Sequence, residues 1–500
     1  MTCEQPADKI KAYYDGHCPM CSAIMESVRD SAKGGEFDLR DMHKEKRLPF
    51  ARQALEKEMH VVDRDGRTHK GAEAIFKIAE QYPHLRILLV LARTPLIKGA
   101  APIVYRFVAA NRRFLFGAAS RLFWLKASVI MAFCVGLAMS SRLWIGPRSY
   151  PPAPIVSALP QVEDLPAYCL FSALFLLAAA ILVVAKPQRF IAAFLAIIGA
   201  FCLLDQTRWQ PWVFLYCFLL ATLALFSWDS SDVPGQRNTL NIARLIIACT
   251  YIFSGLQKIN LNFMENDFPW IVSPITNLLP STAGPLHVVG MIAPFIQIAF
   301  GFGLLTNHLR RTSLVAAIAM HVFILAMFGP AGLDWNNVVW TWTAAMAVFD
   351  VLLFAGQGDY SVAEILWTRT RPYHWFALLV FAGLPILSFF NLWDSLLSAA
   401  LYSGNLTEAE IYVTDAGKAS LPAPIGERFV RTSDNTNVLN LQRWSIEDLN
   451  VIPYPETRVF KAIAKYVCSQ LDDRTQLVLI VREQRMLFSR RETGYRCSQL

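Results

Sequence analysis

Cys18 and Cys21, two cysteines spaced C-x-x-C, are the first residues in this chain whose type and spacing could do chemistry. They close the stretch Tyr13-Tyr14-Asp15-Gly16-His17-Cys18-Pro19-Met20-Cys21. A thiolate is the nucleophile of disulfide exchange, and the N-terminus of a helix favours that negative charge. Cys18, the more N-terminal, is the expected attacking thiol. Cys21, one turn further on, is expected to resolve the mixed disulfide. The same spacing serves structural zinc, which needs two further ligands. The nearest imidazoles are His17, His43, His60 and His69, and no second C-x-x-C follows. Redox chemistry is the preferred reading, with zinc and an inert thiol pair as alternatives. Asp15 is either an Asx-turn residue or a proton acceptor beside the thiols. His17 reads as a solvated turn residue, or else as a neighbour that tunes the thiolate.

These residues need a scaffold, and the flanking sequence predicts one. The apolar run Ile10 to Tyr14 reads as a strand ending at the turn dipeptide Asp15-Gly16. Ala23, Ile24, Met25 and Val28 then recur at helical spacing. Phe37 to Arg40 reads as a strand and Leu48 to Glu58 as a helix. Met59 to Asp63 and Arg67 to Lys70 flank Asp65-Gly66, a hairpin signal. Ala72 to Gln81 reads as a helix with Ala74, Ile75, Ile78 and Ala79 on one face. Residues 83–121 are apolar but interrupted by Arg93, Lys98, Arg106, Arg112 and Arg113, which predicts an amphipathic interfacial connector rather than a span.

The string Tyr14 to Cys21 resembles the DCC family, thioredoxin-like proteins named for one Asp and two Cys. Asp15, Cys18 and Cys21 match that pattern. His60-Val61-Val62-Asp63-Arg64-Asp65-Gly66 and Lys70-Gly71-Ala72-Glu73-Ala74 look like the family's second block. The resemblance covers about residues 8–116. It implies a thioredoxin-like fold and thiol–disulfide oxidoreductase activity on protein or small-molecule thiols. Glu58-Met59-His60 stands where thioredoxins carry a cis-proline ahead of a strand.

Of the 500 residues, 54% are hydrophobic and only 17% charged, which makes a membrane protein the default. The net charge of +8 is dispersed near apolar segments, so it fits an anionic membrane surface and excludes nucleic acid as the expected partner. The polar start, Met1 to Ala12, predicts no secretory signal peptide. Spans of bilayer length are expected at about 123–144, 166–185, 190–207, 211–228, 240–259, 286–306, 312–329, 336–355 and 374–393, about nine in all. Lys186 with Arg189, Arg237 with Arg244, Arg310 with Arg311, and Arg369 with Arg371 fall in alternate loops. That bias puts the N-terminus on the cytoplasmic side, and an odd span count puts the C-terminus outside. A multi-pass protein of the cell (inner) membrane is expected. Its head is 1–120 with the connector, its helical bundle is 121–393, and a small extracytoplasmic α+β domain occupies 394–500. In that last domain Ile411 to Thr414 and Leu477 to Arg482 read as strands, and Val459, Phe460, Ile463, Ala464 and Val467 as a helical face. An oxidising exterior would permit a Cys468–Cys497 disulfide, although spacing alone does not establish contact.

Polar residues within apolar spans are the second place to look for chemistry. Lys258 follows an apolar span, on the lysine-poor side, and reads either as a snorkelling interfacial lysine or as an amine in a cavity. The irregular, acidic and aromatic stretch Leu261 to Ser273 is expected to fold back over such a cavity. Glu265, Asp267 and Ser254 are the candidate partners of the amine, which could then act as a base. His287 and His321 are expected to be hydrogen-bonded inside the bundle, and Asp205 and Asp350 to sit near span ends. Trp335, Trp340 and Trp342 are expected in an interfacial belt, with Asn336-Asn337 at a cavity mouth.

Phe253-Ser254-Gly255-Leu256-Gln257-Lys258-Ile259-Asn260 resembles the HTTM domain, the bacterial relative of vitamin K-dependent gamma-carboxylase. That family's Gly-x-x-Lys-Leu-Asp motif carries a lysine regarded as the catalytic base. Lys258 matches it, Ile259 and Asn260 replace Leu-Asp, and Phe263 stands where a Trp is usual. The resemblance implies a gamma-carboxylase-like membrane domain. The expected whole is therefore a multidomain membrane protein: a thioredoxin-like α/β head, a polytopic helical bundle and a C-terminal α+β domain. Cys18, Cys21, Asp15 and Lys258 are its candidate catalytic residues. A lipid-phase partner, with a quinone as the one cofactor considered, is expected in the membrane part. The competing readings are a ligand-binding or transport module with a redox-sensing head, and carboxylase-like base chemistry at Lys258.

Overall fold

The computed structural model describes residues 9–16, 19–29, 34–45, 47–82, 118–156, 164–226, 228, 232–355, 360–367, 372–485 and 489–500. The expected connector at 83–121 lies outside them, apart from its last residues, which open a helix at Ala118. The chain divides into two compact units, one ending at Phe123 and one running from Trp124 to Leu500.

The first unit begins with β1 (Ile10–Tyr14) and α1 (Pro19–Arg29). It continues through β2 (Phe37–Asp41), α2 (Arg52–Lys57), β3 (His60–Val62), β4 (Thr68–Lys70) and α3 (Ala72–Ala79). The strands form one sheet in the order β2-β1-β3-β4. β1 runs parallel to β2, with Tyr14 opposite Asp41, and antiparallel to β3, with Ala12 opposite Val61. The period-2 alternation of β1 explains the layering. Ile10, Ala12 and Tyr14 face a core with Met25, Val28, Phe37, Val61 and Ile78, while Tyr13 faces Met42 and Leu55 on the other side. The expected hairpin closes through Asp65-Gly66, where Gly66 adopts φ +79°, a left-handed conformation that glycine takes without strain. The helix expected from Leu48 starts only at Arg52.

The second unit is built around long apolar helices: α4 (Ala118–Met139), α5 (Asp164–Val183), α6 (Gln188–Leu204), α7 (Pro211–Ala224), α8 (Val233–Gln257), α9 (Ala283–Leu304), α10 (Arg310–Phe328), α11 (Asn337–Phe354) and the helical run α12 (Pro372–Phe390). Among the described residues seven helical segments are long and apolar enough to cross a membrane, against the expected nine. The third and fourth expected spans are the shorter helices α6 and α7, of 17 and 14 residues. At 1.5 Å per residue they reach about 26 and about 21 Å, short of a ~30 Å hydrocarbon core. The turn between them explains why they stop. Asp205 pairs with Arg148 at 2.8 Å and accepts the Ala153 and Thr207 N–H groups, while Arg208 donates to the carbonyls of Leu143, Trp144 and Phe201. The Asp205–Arg148 ion pair and the Arg208 hydrogen bonds are made inside protein. Arg244, expected in a loop, lies within α8, where it donates to the Leu353 carbonyl and stacks over Tyr360.

Residues 394–500 contain an antiparallel sheet in the order β6-β7-β5-β8-β9. Its strands are β5 (Glu408–Val413), β6 (Val430–Arg431), β7 (Asn437–Asn440), β8 (Leu477–Arg485) and β9 (Ser489–Arg496), with helices α13 (Leu441–Leu449) and α14 (Thr457–Ser469). The apolar face read for α14 is buried, and Cys468 is disulfide-bonded to Cys497 with Cα atoms 5.9 Å apart. Asp448 accepts the Ser149 and Tyr150 N–H groups at 2.7 Å each, and Gln210 donates to the Ile452 carbonyl, so this sheet belongs to the same unit as the helices.

Candidate functional sites

In the first unit the parallel pairing of β1 and β2 brings together the two chain segments that leave the sheet at the same end. Asp15 follows β1 and is 1% exposed. His43 follows β2, and its Nε2 lies 2.8 Å from the Asp15 carboxylate. Asp41 holds the geometry, accepting the Gly16 N–H at 3.1 Å and the His43 N–H at 3.0 Å. The approach is so close at Gly16 that a Cβ there would sit 2.1 Å from the Asp41 carboxylate, which accounts for the glycine. Ser22 donates to the Gly16 carbonyl and ties the start of α1 to this turn. Cys21 lies on α1, buried against the core. Cys18 and His17 are outside the described residues.

His43 was legible only as a remote zinc candidate. Its role beside Asp15 depends on strand pairing across 28 residues, which no local pattern reveals. The other described zinc candidates are engaged elsewhere. His60 is buried with Nδ1 3.0 Å from the Glu58 carbonyl, and burial lowers its pKa. His69 pairs with Asp63 at 2.9 Å. Among the described residues no cluster of three His, Cys, Asp or Glu could hold a metal.

In the second unit a cavity of about 480 Å³ lies against α8, α9, α10 and α11. Tyr251, Ser254 and Lys258 occupy one stripe of α8 at helical spacing and all line it. Lys258 caps α8, and its Nζ donates to the Ser254 carbonyl at 2.9 Å and to the Ser254 hydroxyl at 2.6 Å. Of its three expected partners only Ser254 is met. Asp267 instead accepts the Gly404 N–H at 2.7 Å, and Glu265 is exposed. Leu261 to Ser273 is not irregular. It is a π-helical turn, Phe263–Asp267, followed by a short helix, Phe268–Ile271. Phe263, Phe268 and Ile271 from it line the cavity.

The far end of the stripe carries a second constellation. The Tyr251 hydroxyl lies 2.6 Å from His321 Nε2 and donates to Asp350 at 2.7 Å, all three side chains being buried. His321 thus meets its expectation of a hydrogen-bonded place in the bundle. His287 does not: it lies on the exposed side of α9. Asp350, near the end of α11 as expected, is fully buried against Tyr251. Trp342 lines the cavity. Asn336 donates to the hydroxyl of Tyr402, another wall residue.

Residues 12–118 match the family model of the DCC1-like thiol-disulfide oxidoreductases. That range contains Asp15, Cys18, Cys21 and His43 and does not extend to Lys258. The chain therefore combines a DCC1-like thiol-disulfide oxidoreductase domain with an apolar helical region compatible with membrane insertion. No curated protein and no solved structure matches it.

Proposed function

We propose that this protein is a membrane-embedded thiol–disulfide oxidoreductase whose head faces the cytoplasm and whose helical part holds a lipid-phase partner. Cys18 attacks and Cys21 resolves. The observation that carries this reading is the buried Asp15 carboxylate at the turn between β1 and the C-x-x-C helix, hydrogen-bonded to His43. An imidazole hydrogen-bonded to a carboxylate there can accept the proton that a thiol loses as the thiolate forms, the carboxylate stabilising the resulting imidazolium. The strand order β2-β1-β3-β4, with β1 and β2 parallel and β3 and β4 antiparallel, supports a thioredoxin-like fold. The Cys468–Cys497 disulfide supports an extracytoplasmic C-terminus, since such bonds persist in oxidising compartments.

The test is the redox equilibrium of the purified full chain in graded glutathione buffers, read by thiol alkylation of Cys18 and Cys21. A reversible Cys18–Cys21 disulfide is expected within that range, and Asp15→Asn slows its exchange roughly 10²-fold. No disulfide at any glutathione ratio would overturn the reading.

A further inference from the structure

The cavity at α8 joins the Lys258 amine to a largely apolar wall in which Tyr251, Gln297 and His321 are the main polar side chains. Phe263, Phe268, Phe300, Ile324, Phe328 and Met346 are among its apolar residues. The polar end is Lys258, whose ammonium carries three donors. Its two hydrogen bonds go to neutral oxygens of Ser254. Among the described residues no carboxylate lies within ion-pair distance of the amine, and Asp267, on the segment folded across the cavity, is turned to Gly404. A cation removed from water without a counter-charge is costly, and an anion delivered into the cavity offsets that cost.

The opposite pole differs. Tyr251 lies two turns back along α8, about 10 Å at 1.5 Å per residue, and its hydroxyl is already satisfied by His321 and Asp350. The cavity therefore has an amine with no carboxylate in contact at one end, the Tyr251–His321–Asp350 group at the other and an apolar length between them. Its volume falls within the ~300–1,000 Å³ of small-molecule sites. The rim points to the source of the ligand. Val289 and Ile296 of α9 line the cavity and are 47% and 51% exposed, beside the exposed Ile292 and Phe295. This apolar outer face of a membrane-length helix is the surface that lipid chains cover.

We propose that the cavity binds a single-chain amphiphile with an acidic head group, taken laterally from the bilayer, its head paired with Lys258 and its tail among the phenylalanines. This rests on the reading of the helical part as the holder of a lipid-phase partner and names the chemistry of that partner. The head could be a fatty carboxylate or a lysophosphatidate phosphate, which share the charge Lys258 selects.

Trp342 in the wall supplies the readout. The full chain in phosphatidylcholine nanodiscs is titrated with a dibrominated stearic acid, whose bromines quench a nearby indole. Saturable quenching that disappears in Trp342→Phe is expected. The methyl ester of the same acid, and Lys258→Met with the acid itself, should bind at least about tenfold more weakly, because truncating one side of a buried charge pair costs at least that much. Lys258→Arg should retain binding. Competition by unlabelled oleate or by lysophosphatidic acid, whichever is stronger, assigns the head as carboxylate or phosphate, and failure of both overturns the proposal. An ester that binds as tightly as the acid, or a fully competent Lys258→Met, overturns the acidic-head assignment and leaves the lipid-phase reading standing. No saturable quenching by either acid or ester overturns both. If Lys258→Met does not fold, the acid and ester comparison on the unmodified chain decides.

Discussion

Two buried acids, Asp15 and Asp205, and the partly buried Glu456 are compensated in three ways. Asp15 is met by an imidazole, His43. Asp205 is met by the Arg148 guanidinium and two backbone N–H groups. Glu456 has the weakest support. It accepts the Ser395 N–H at 2.9 Å and the Ser395 hydroxyl at 3.2 Å, with Arg458 3.8 Å away. Burial, with the Asp394 charge adding to it, pushes its carboxyl up to about 7 from the ordinary 4.5. The folded protein thus binds this proton more tightly than the unfolded chain does. The group's contribution to stability is complete below about 4.5 and is lost as the pH rises through about 7. Glu456→Gln keeps the shape and cannot ionise. It should be more stable than the parent chain by about 2 kcal/mol at pH 8 in thermal unfolding, with the gap closing toward pH 5. A variant less stable than the parent at pH 8 would mean that the ionised pair with Arg458 is the native state.

At the scale of elements, α8 and α9 cross closely beside the cavity, at glycines. A Cβ at Gly255 would stand 2.7 Å from the Pro294 carbonyl oxygen and from Ile298, and one at Gly301 would stand 2.8 Å from Ile252. Small residues let apolar helices approach where no hydrophobic drive separates them from lipid. Gly255→Ala must push α8 from α9 and displace Ser254 and Lys258 beside it. A loss of about 1–3 kcal/mol is expected in thermal unfolding, and an unchanged midpoint would mean that the crossing is loose. Much of this element level is written in local pattern. The apolar runs that become α8 to α12, the Asp65-Gly66 hairpin and the buried stripe of α14 are all periodicities or turn dipeptides. What local pattern does not carry is pairing. β9, with the sequence Ser-Arg-Arg-Glu-Thr-Gly-Tyr-Arg, has no apolar alternation. It is a strand only because β8 bonds to it, and its charges suit a sheet edge. His287 and His321 sit in similar apolar surroundings, and only helix rotation decides that one is exposed and the other bonded to Tyr251. The Asp15–His43 contact likewise follows from strand register.

Across the whole molecule, the side on which each terminus lies depends on the parity of the crossings. Among the described residues seven helical segments have spanning length, and α6 and α7 form an adjacent short pair joined at Asp205 to Gln210. If both members of the pair cross, or neither does, the total stays odd. An odd number of crossings is the arrangement the proposed opposite placement of the termini requires. Under the proposed orientation, Lys186 with Arg189, and Arg310 with Arg311, fall in loops on the same side as the head, as a positive-inside bias requires. The two thiol chemistries are consistent with that arrangement, since the C-x-x-C pair needs a thiol pool to exchange with and the Cys468–Cys497 bond needs an oxidising environment to persist. A fluorescent protein that matures only in the cytoplasm, fused before Met1, should be bright. A phosphatase that folds only where disulfides form, fused after Leu500, should be active. In intact cells Cys468 and Cys497 should resist alkylation until a reductant is added. Both fusions reporting the cytoplasmic side would make the number of crossings even. The segment to re-examine would then be α12, the spanning-length run interrupted by a π-helical turn at Leu379–Gly383, because a broken helix is the one most able to enter a membrane and return.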